Sequence, residues 1–199
     1  MAARKGNAGD PSTRNALLDS AQHLMLTEGY AAATIRRVAG GAGVNSALVS
    51  YYFGSLDGMF IALFRRGAEQ SFDRLQDALG SSQPLWSFWD LIHDRSNSAS
   101  TMEFIALANH RKAIRDEIAE YSRRFRTAQL EALEPVLDGY RLDPEEWPAS
   151  VIVLTLSSLS RFMLIEEAFG VEVGHADAEA MVETFIRGLE GERLAPAPE

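Results

Sequence analysis

The sequence predicts an all-α fold, on three observations. Segment after segment places its apolar residues three and four positions apart, the spacing of one helix face. The stretch Thr34 to Phe53 reads as two short helices joined by a tight turn. Asp143-Pro144-Glu145-Glu146 carries a helix-start signature, with an N-cap, a proline at the first helical position and a glutamate three residues past the cap. The layout expected is an N-terminal three-helix helix-turn-helix domain followed by a larger helical domain, about nine helices in total.

Residues 1–11 carry Gly6, Gly9 and Pro11 with almost nothing apolar, and read as a disordered arm. Its Arg4 and Lys5 either follow a DNA backbone or minor groove, or form a solvated tail. A first helix, from about Ser12 to Glu28, buries Leu17, Leu18, Ala21, Leu24 and Met25 and ends at Gly29. Thr34 caps the second helix, which buries Ile35, Val38 and Ala39 before the glycine run at 40–43 breaks it. Positive φ comes cheaply to Gly43, so the chain reverses, Val44 enters the core and Asn45 caps a third helix. Val49 and Phe53 face inward there, leaving Ser46, Ala47 and Ser50 outside with Tyr51 and Tyr52 beyond them. Two helices crossing at a glycine turn describe a DNA-binding helix-turn-helix, and the same pattern also suits a helical hairpin in a small bundle.

Ser55 caps a long helix, Leu56 to about Leu79, whose buried side begins with Met59, Phe60, Leu63 and Phe64. After a linker at Gly80 to Pro84 come a compact helix rich in tryptophan, a short one near Met102 to Asn109, and a long one from about Ala113 to Leu137. The Asp143 start opens a helix to about Phe169, and a last helix spans Asp177 to Leu189. The Asp143 helix is apolar on more than one side and must be covered on more than one side. The tail 193–199 reads as disordered.

The net charge of −9 is unevenly spread. Residues 1–66 hold seven Lys/Arg against four acids, which leaves twelve basic and twenty-four acidic residues in the remainder. A basic head on an acidic body suits phosphate contact at one end. No cysteine is present, so disulfides and thiolate metal sites are excluded. The N-terminus lacks the apolar core of a signal peptide, and the apolar run Val151 to Ile165 is interrupted by Ser157, Ser158, Ser160 and Arg161. The expectation is a soluble, cytoplasmic protein without membrane association.

Leu17, Leu18, Ala21, Gly29, Tyr30, Thr34, Ile35, Val38, Ala39, Ala42, Gly43, Val44, Tyr51, Phe53, Gly54, Ser55 and Phe60 stand in an order and spacing that resembles the DNA-binding domain of the TetR family of transcriptional regulators. The resemblance covers roughly the first third of the chain; beyond it only the helical layout agrees. It implies a DNA-binding domain at 12–55 and a ligand-binding and dimerisation domain at 56–192. Arg36 then stands where a base-reading residue can lie, and arginine suits guanine O6 and N7. Ser46, Ala47, Leu48 and Ser50 take groove-facing positions, Leu48 either touching a thymine methyl or packing inward. Thr34, Tyr51 and Tyr52 match phosphate-holding hydroxyl positions, and Asn45 stands at the helix start. The sequence departs from the family at Leu56, where lysine is common, and at Tyr52, where histidine is common. Arg37 or the helix N-terminus at Ser55 is placed to compensate.

For the body, the resemblance implies a pocket among helices between residues 56 and 169, with Trp86, Trp89, Phe104, Tyr121, Phe125 and Met163 as lining candidates and His110 as a polar anchor. Such a lining favours an apolar or aromatic inducer. The last two long helices would pair with a second subunit as a four-helix bundle, through Val151, Leu154, Ser158, Phe162, Met181, Phe185 and Leu189. The partners expected are double-stranded operator DNA, a second copy and a small inducer; no cofactor, metal or catalytic residue is expected. The sequence holds no glycine-rich phosphate loop, nucleophile elbow or HExxH, and His23, His93, His110 and His175 lack metal-ligand spacing. These readings converge on a ligand-responsive regulator, a repressor rather than an activator on the family alone. The alternative is a helical ligand-binding or interaction module with weak or no specific DNA binding.

Overall fold

The computed structural model describes residues 10–194, apart from the side chains of residues 96–98. Its helices are α1 (Pro11–Glu28), α2 (Ile35–Gly41), α3 (Ala47–Phe53), α4 (Leu56–Leu79), α5 (Pro84–Ile92), α6 (Arg95–Ala108), α7 (Lys112–Gly139), α8 (Ala149–Glu167) and α9 (His175–Glu190), with a 3-10 turn at Tyr30–Ala32. Among the described residues there is no strand.

The chain forms two compact units. One gathers the residues through Gln70 with Ala99–Ser122, the other Ser71–Ser98 with the chain from Arg123 onward. A boundary at 55/56 therefore does not separate them, because Met59, Phe60 and Leu63 at the start of α4 lie in the same core as α1, α2 and α3.

In the first unit Leu17, Leu18, Val38 and Val49 are fully buried, and Phe104, Leu107 and Ile114 from α6 and α7 complete the core. Asp10 caps α1, its carboxylate accepting the Ser12 N–H at 2.9 Å and the Ser12 hydroxyl at 2.7 Å. Those two bonds hold the Asp10 carboxyl below its ordinary pKa. The helix thus starts at Pro11, inside the stretch expected to be disordered; the rest of that arm, with Arg4 and Lys5, lies outside the described residues. Glu103 accepts the Tyr30 N–H at 2.7 Å, and Arg65 forms a forked pair with Glu117 at 2.6 and 2.8 Å.

The α3–α4 corner is tight. Ser55 Oγ accepts the Gly58 N–H at 3.0 Å, and a Cβ at Gly58 would fall well inside contact distance of the Phe53 carbonyl oxygen. A backbone oxygen cannot swing aside as a side chain would. Gly58→Ala is accordingly expected to destabilise this unit by about 1–3 kcal/mol, the usual range for overpacking, seen as a lower urea midpoint at unchanged slope.

The second unit packs Trp86, Phe88, Trp89, Leu133, Val153, Val182 and Ile186 into one core. Glu190 on α9 reaches the start of α5, accepting the N–H groups of Leu85 at 2.8 Å and Trp86 at 3.1 Å as well as the Tyr140 hydroxyl. Beyond α9 the chain folds back on α5: Trp86 Nε1 donates to Gly191 O at 3.2 Å, and Gln83 bonds both Glu192 and Leu194. Arg193 and Leu194 are therefore held rather than disordered; the tail after them lies outside the described residues.

Three expectations for this region change. Asp143 does cap a turn, accepting the Glu145 N–H on its carboxylate and the Trp147 N–H on its carbonyl, but the helix begins only at Ala149. Pro148 is the reason: it disfavours helical geometry at Trp147 and offers no N–H of its own. α6 begins at Arg95, two turns earlier than expected. The interrupted run on α8 still averages a hydropathy of 1.5 over an 18-residue window, so by length and composition it meets the criterion for a membrane span. Its inner face, including Ile152, Val153, Leu156, Met163 and Leu164, is buried in the unit's own core.

Candidate nucleic-acid interface

Thr34 Oγ1 accepts the Arg37 N–H at 3.4 Å and so starts α2, as its sequence position implies. Ser20 Oγ ties α1 to α2 by donating to Val38 O at 2.9 Å. α2 runs through Gly41, two residues into the glycine run, and the turn is made by Gly43 at φ +68°. Val44 N–H then closes back on Ala39 O at 2.9 Å. Asn45 Oδ1 accepts the Ala47 N–H at 2.8 Å, which positions the first turn of α3.

α3 keeps Val49 fully buried and packs Leu48, Tyr52 and Phe53 partly against the core. Asn45, Ser46, Ala47, Ser50 and Tyr51 are exposed, Tyr51 at 61%. These positions form one small, polar, nearly uncharged face with an aromatic hydroxyl at its far end, which is a surface that can approach a groove closely. The structure brings together Thr34, Arg36, Asn45, Ser46, Ala47, Ser50, Tyr51 and Ser55 as exposed residues around this corner.

Two expected contacts change. Leu48 packs inward, so its contact with a thymine methyl is withdrawn. Tyr52 donates its hydroxyl to Asp10 O at 3.1 Å; a hydroxyl has one proton, and this one ties α3 to the start of α1 rather than serving a phosphate.

The charges sort sharply. Arg37 makes a forked pair with Glu28 at 2.6 and 2.8 Å, which lowers the Glu28 pKa and raises that of Arg37. Arg66 pairs with Asp19 at 2.6 Å, Arg65 with Glu117, and Arg14 lies over the Phe53 ring at 5.4 Å. Arg36 is exposed with no acidic partner among the described residues. Glu28 was not singled out by sequence reasoning. The nine-residue separation between Glu28 and Arg37 crosses the α1–α2 corner, so no helix period connects them.

Residues 17–63 match the family model for bacterial regulatory proteins of the tetR family. Over those residues the head resembles the DNA-binding domain of that family. Solved structures extend the likeness of fold over nearly the whole chain. A protein from Rhodococcus sp. described as a TetR-family transcriptional regulator is 20% identical, with a TM-score of 0.66 over 91% of this chain and 100% of its own. A transcriptional regulator from Saccharomonospora viridis in complex with choline is 19% identical, with a TM-score of 0.68 over 81% and 88%. The multidrug binding protein EbrR in complex with imidazole is 23% identical, with a TM-score of 0.59 over 97% and 100%. No curated protein matches the chain. The chain therefore shares the fold of these solved regulators, with a helix-turn-helix head that matches the tetR family model.

The body candidates divide between the two units. In the first unit Phe104 and Tyr121 both pack edge-on against Phe64, each at 5.2 Å between ring centroids. His110 is exposed on the surface, which removes it as an anchor inside a cavity. In the second unit Trp86, Trp89 and Met163 are buried and Phe125 packs edge-on against Phe72, so these side chains act first as core. A surface cleft of about 330 Å³ in this unit is lined by Leu130, Glu134, Asp138, Pro144, Pro148, Ala149 and Ser150, none of them among the expected lining residues. Sequence reasoning did not single out Arg126. Burial and the nearby Arg161 charge lower its pKa, and its Nη1 is buried without a hydrogen-bond partner, as is Ser157 Oγ.

On the outer face of α8, Val151, Leu154, Ser158 and Phe162 are exposed in one stripe, and Met181 of α9 is exposed as well. Phe185 and Leu189 are half-buried, Phe185 lying 5.2 Å from the Trp147 ring.

Proposed function

We propose that the protein is a ligand-responsive transcriptional repressor that binds a palindromic operator as a homodimer and is released by a small inducer. The observation that carries this reading is the exposed α3 face with Arg36 beside it, in a head that spends its other described arginines internally. On this reading Arg36 reads a base edge, Ser46, Ala47 and Ser50 let α3 sit deep in the major groove, and Thr34 and Tyr51 hold phosphates. The α4 N-terminus at Ser55 supplies a partial positive charge to a further phosphate. The role is regulatory, with no catalytic step.

The second copy is supplied by the α8–α9 face, whose apolar stripe is too continuous for a surface meant for water. The inducer has an apolar or aromatic body and an acceptor group that satisfies the unpartnered Arg126 Nη1. Inducer and operator oppose each other through a reciprocal coupling.

The test is titration of purified protein against fluorescent DNA from its own upstream region over a range of salt. Saturable binding at a palindrome, two subunits per site and weaker at higher salt, supports the reading. Binding no tighter than to random DNA, with ligand binding intact, favours the interaction-module alternative. The Glu28–Arg37 pair adds a finer prediction: Glu28→Gln releases Arg37 toward phosphate. Affinity at low salt is expected to rise, and the log–log salt slope to steepen by about 0.9 for each Arg37 recruited.

A further inference from the structure

Where α5, α8 and α9 meet, the second unit gathers imidazoles and carboxylates from three separate stretches of sequence. One ligand-capable atom each of His93, Glu167 and Glu179 lies within 4.8 Å of the others. The surroundings of His93 fix its tautomer. Ser160 Oγ donates its only proton to Ile92 O at 2.8 Å, so toward His93 Nδ1, 3.1 Å away, it can only accept. The ring therefore carries a proton on Nδ1, and Nε2 faces Glu179 Oε1 at 3.4 Å. Stacking on Trp89, at 5.0 Å and 19°, holds the ring in that plane.

His175 repeats the arrangement. Its Nε2–H donates to Glu166 Oε2 at 2.9 Å, leaving Nδ1 pointed at Glu167 Oε1 from 3.8 Å. The side chain is only 10% exposed, yet Nδ1 is buried with no hydrogen-bond partner. His93 Nε2 and His175 Nδ1 thus each face a carboxylate oxygen, a contact that is favourable only with a positive charge at it, from a proton or from a metal ion. Metal-binding histidines are prepared in this way: the far N–H is tied to an acceptor, which orients the ring and strengthens the free nitrogen as a donor.

We propose that this cluster binds one divalent transition-metal ion of the zinc type, through His93 Nε2, Glu167 and Glu179, with water in the fourth position. A tetrahedral site with bonds of about 2.0–2.1 Å needs donors about 3.4 Å apart, which the His93–Glu179 pair already meets. One imidazole and two carboxylates form a borderline-to-hard set suited to Zn²⁺ or Ni²⁺ rather than to thiolate-seeking ions. Arg95 pairs with Glu167 at 2.9 Å from a side chain that is 77% exposed, so it balances the carboxylate while the ion is absent and can swing away when it binds. The bound ion would tie the end of α5 to the α8–α9 junction.

The test uses the full chain without a histidine tag, titrated with Zn²⁺ by calorimetry and with Co²⁺ by visible absorption. One ion per chain, a melting temperature that rises with added Zn²⁺, and the intense bands of tetrahedral Co²⁺ are expected. His93→Gln and Glu179→Gln should each weaken binding at least about 10-fold, the lower range even for outer-shell changes. Glu179 is partly exposed, so Glu179→Gln is expected to fold. His23→Ala, on an exposed position of α1, should leave binding unchanged. No stoichiometric binding, or binding that survives both His93→Gln and Glu179→Gln, overturns the proposal. Neither result depends on whether the head binds DNA.

Discussion

Phe162→Asp is expected to yield a folded monomer. Phe162 is 58% exposed on α8, in line with Val151 and Leu154 at 51% and 52%, so replacing it removes nothing from the protomer's own core. In a two-fold interface the same side chain is buried twice, once from each subunit. Burying one phenylalanine contributes about 1.5–3 kcal/mol, so the pair contributes about 3–6 kcal/mol, and the introduced carboxylates add a desolvation cost. The dimer dissociation constant should rise on the order of 10²- to 10⁴-fold. Sedimentation velocity at micromolar concentration reads the change directly, with circular dichroism confirming that the helices persist. An unchanged dimer would place the interface elsewhere and send the apolar stripe to another partner.

Arg36→Ala should have the largest effect on operator binding. A guanidinium reading guanine O6 and N7 contributes about 1–3 kcal/mol, and a dimer on a palindrome uses it in both half-sites, so about 2–6 kcal/mol is lost. That corresponds to a weakening of roughly 30- to 10⁴-fold. Changing the contacted guanine in both half-sites should cost the native protein a similar factor and the variant almost nothing. Arg37→Ala, in contrast, removes a side chain already committed to Glu28 and should change affinity far less. Equal losses in the two variants would mean that Arg36 contributes charge without reading sequence.

The contrast between these arginines shows where sequence reasoning reaches its limit. Arg36 and Arg37 are adjacent and chemically identical, and only the fold brings Glu28 to one of them. Tyr51 and Tyr52 divide in the same way, one exposed at the groove-facing corner and the other bonded to the Asp10 carbonyl. Leu48 was ambiguous because a short helix has too few turns for its apolar face to declare itself. The Asp143 start failed because a correct local capping signal was followed by Pro148, whose effect on the preceding residue outweighs the cap.

The sequence by itself determined the helical class, the three-helix head, the cap at Thr34, the reversal at Gly43 and the outward stripe on α8. These are local properties, set by backbone conformational preference and by apolar spacing within single helices. Only the tertiary structure decided which arginine is left unpaired, which aromatic residues are core, and that His93, Glu167 and Glu179 converge. Those facts depend on contacts between segments tens of residues apart, where a carboxylate's partner follows from packing and no spacing rule encodes it.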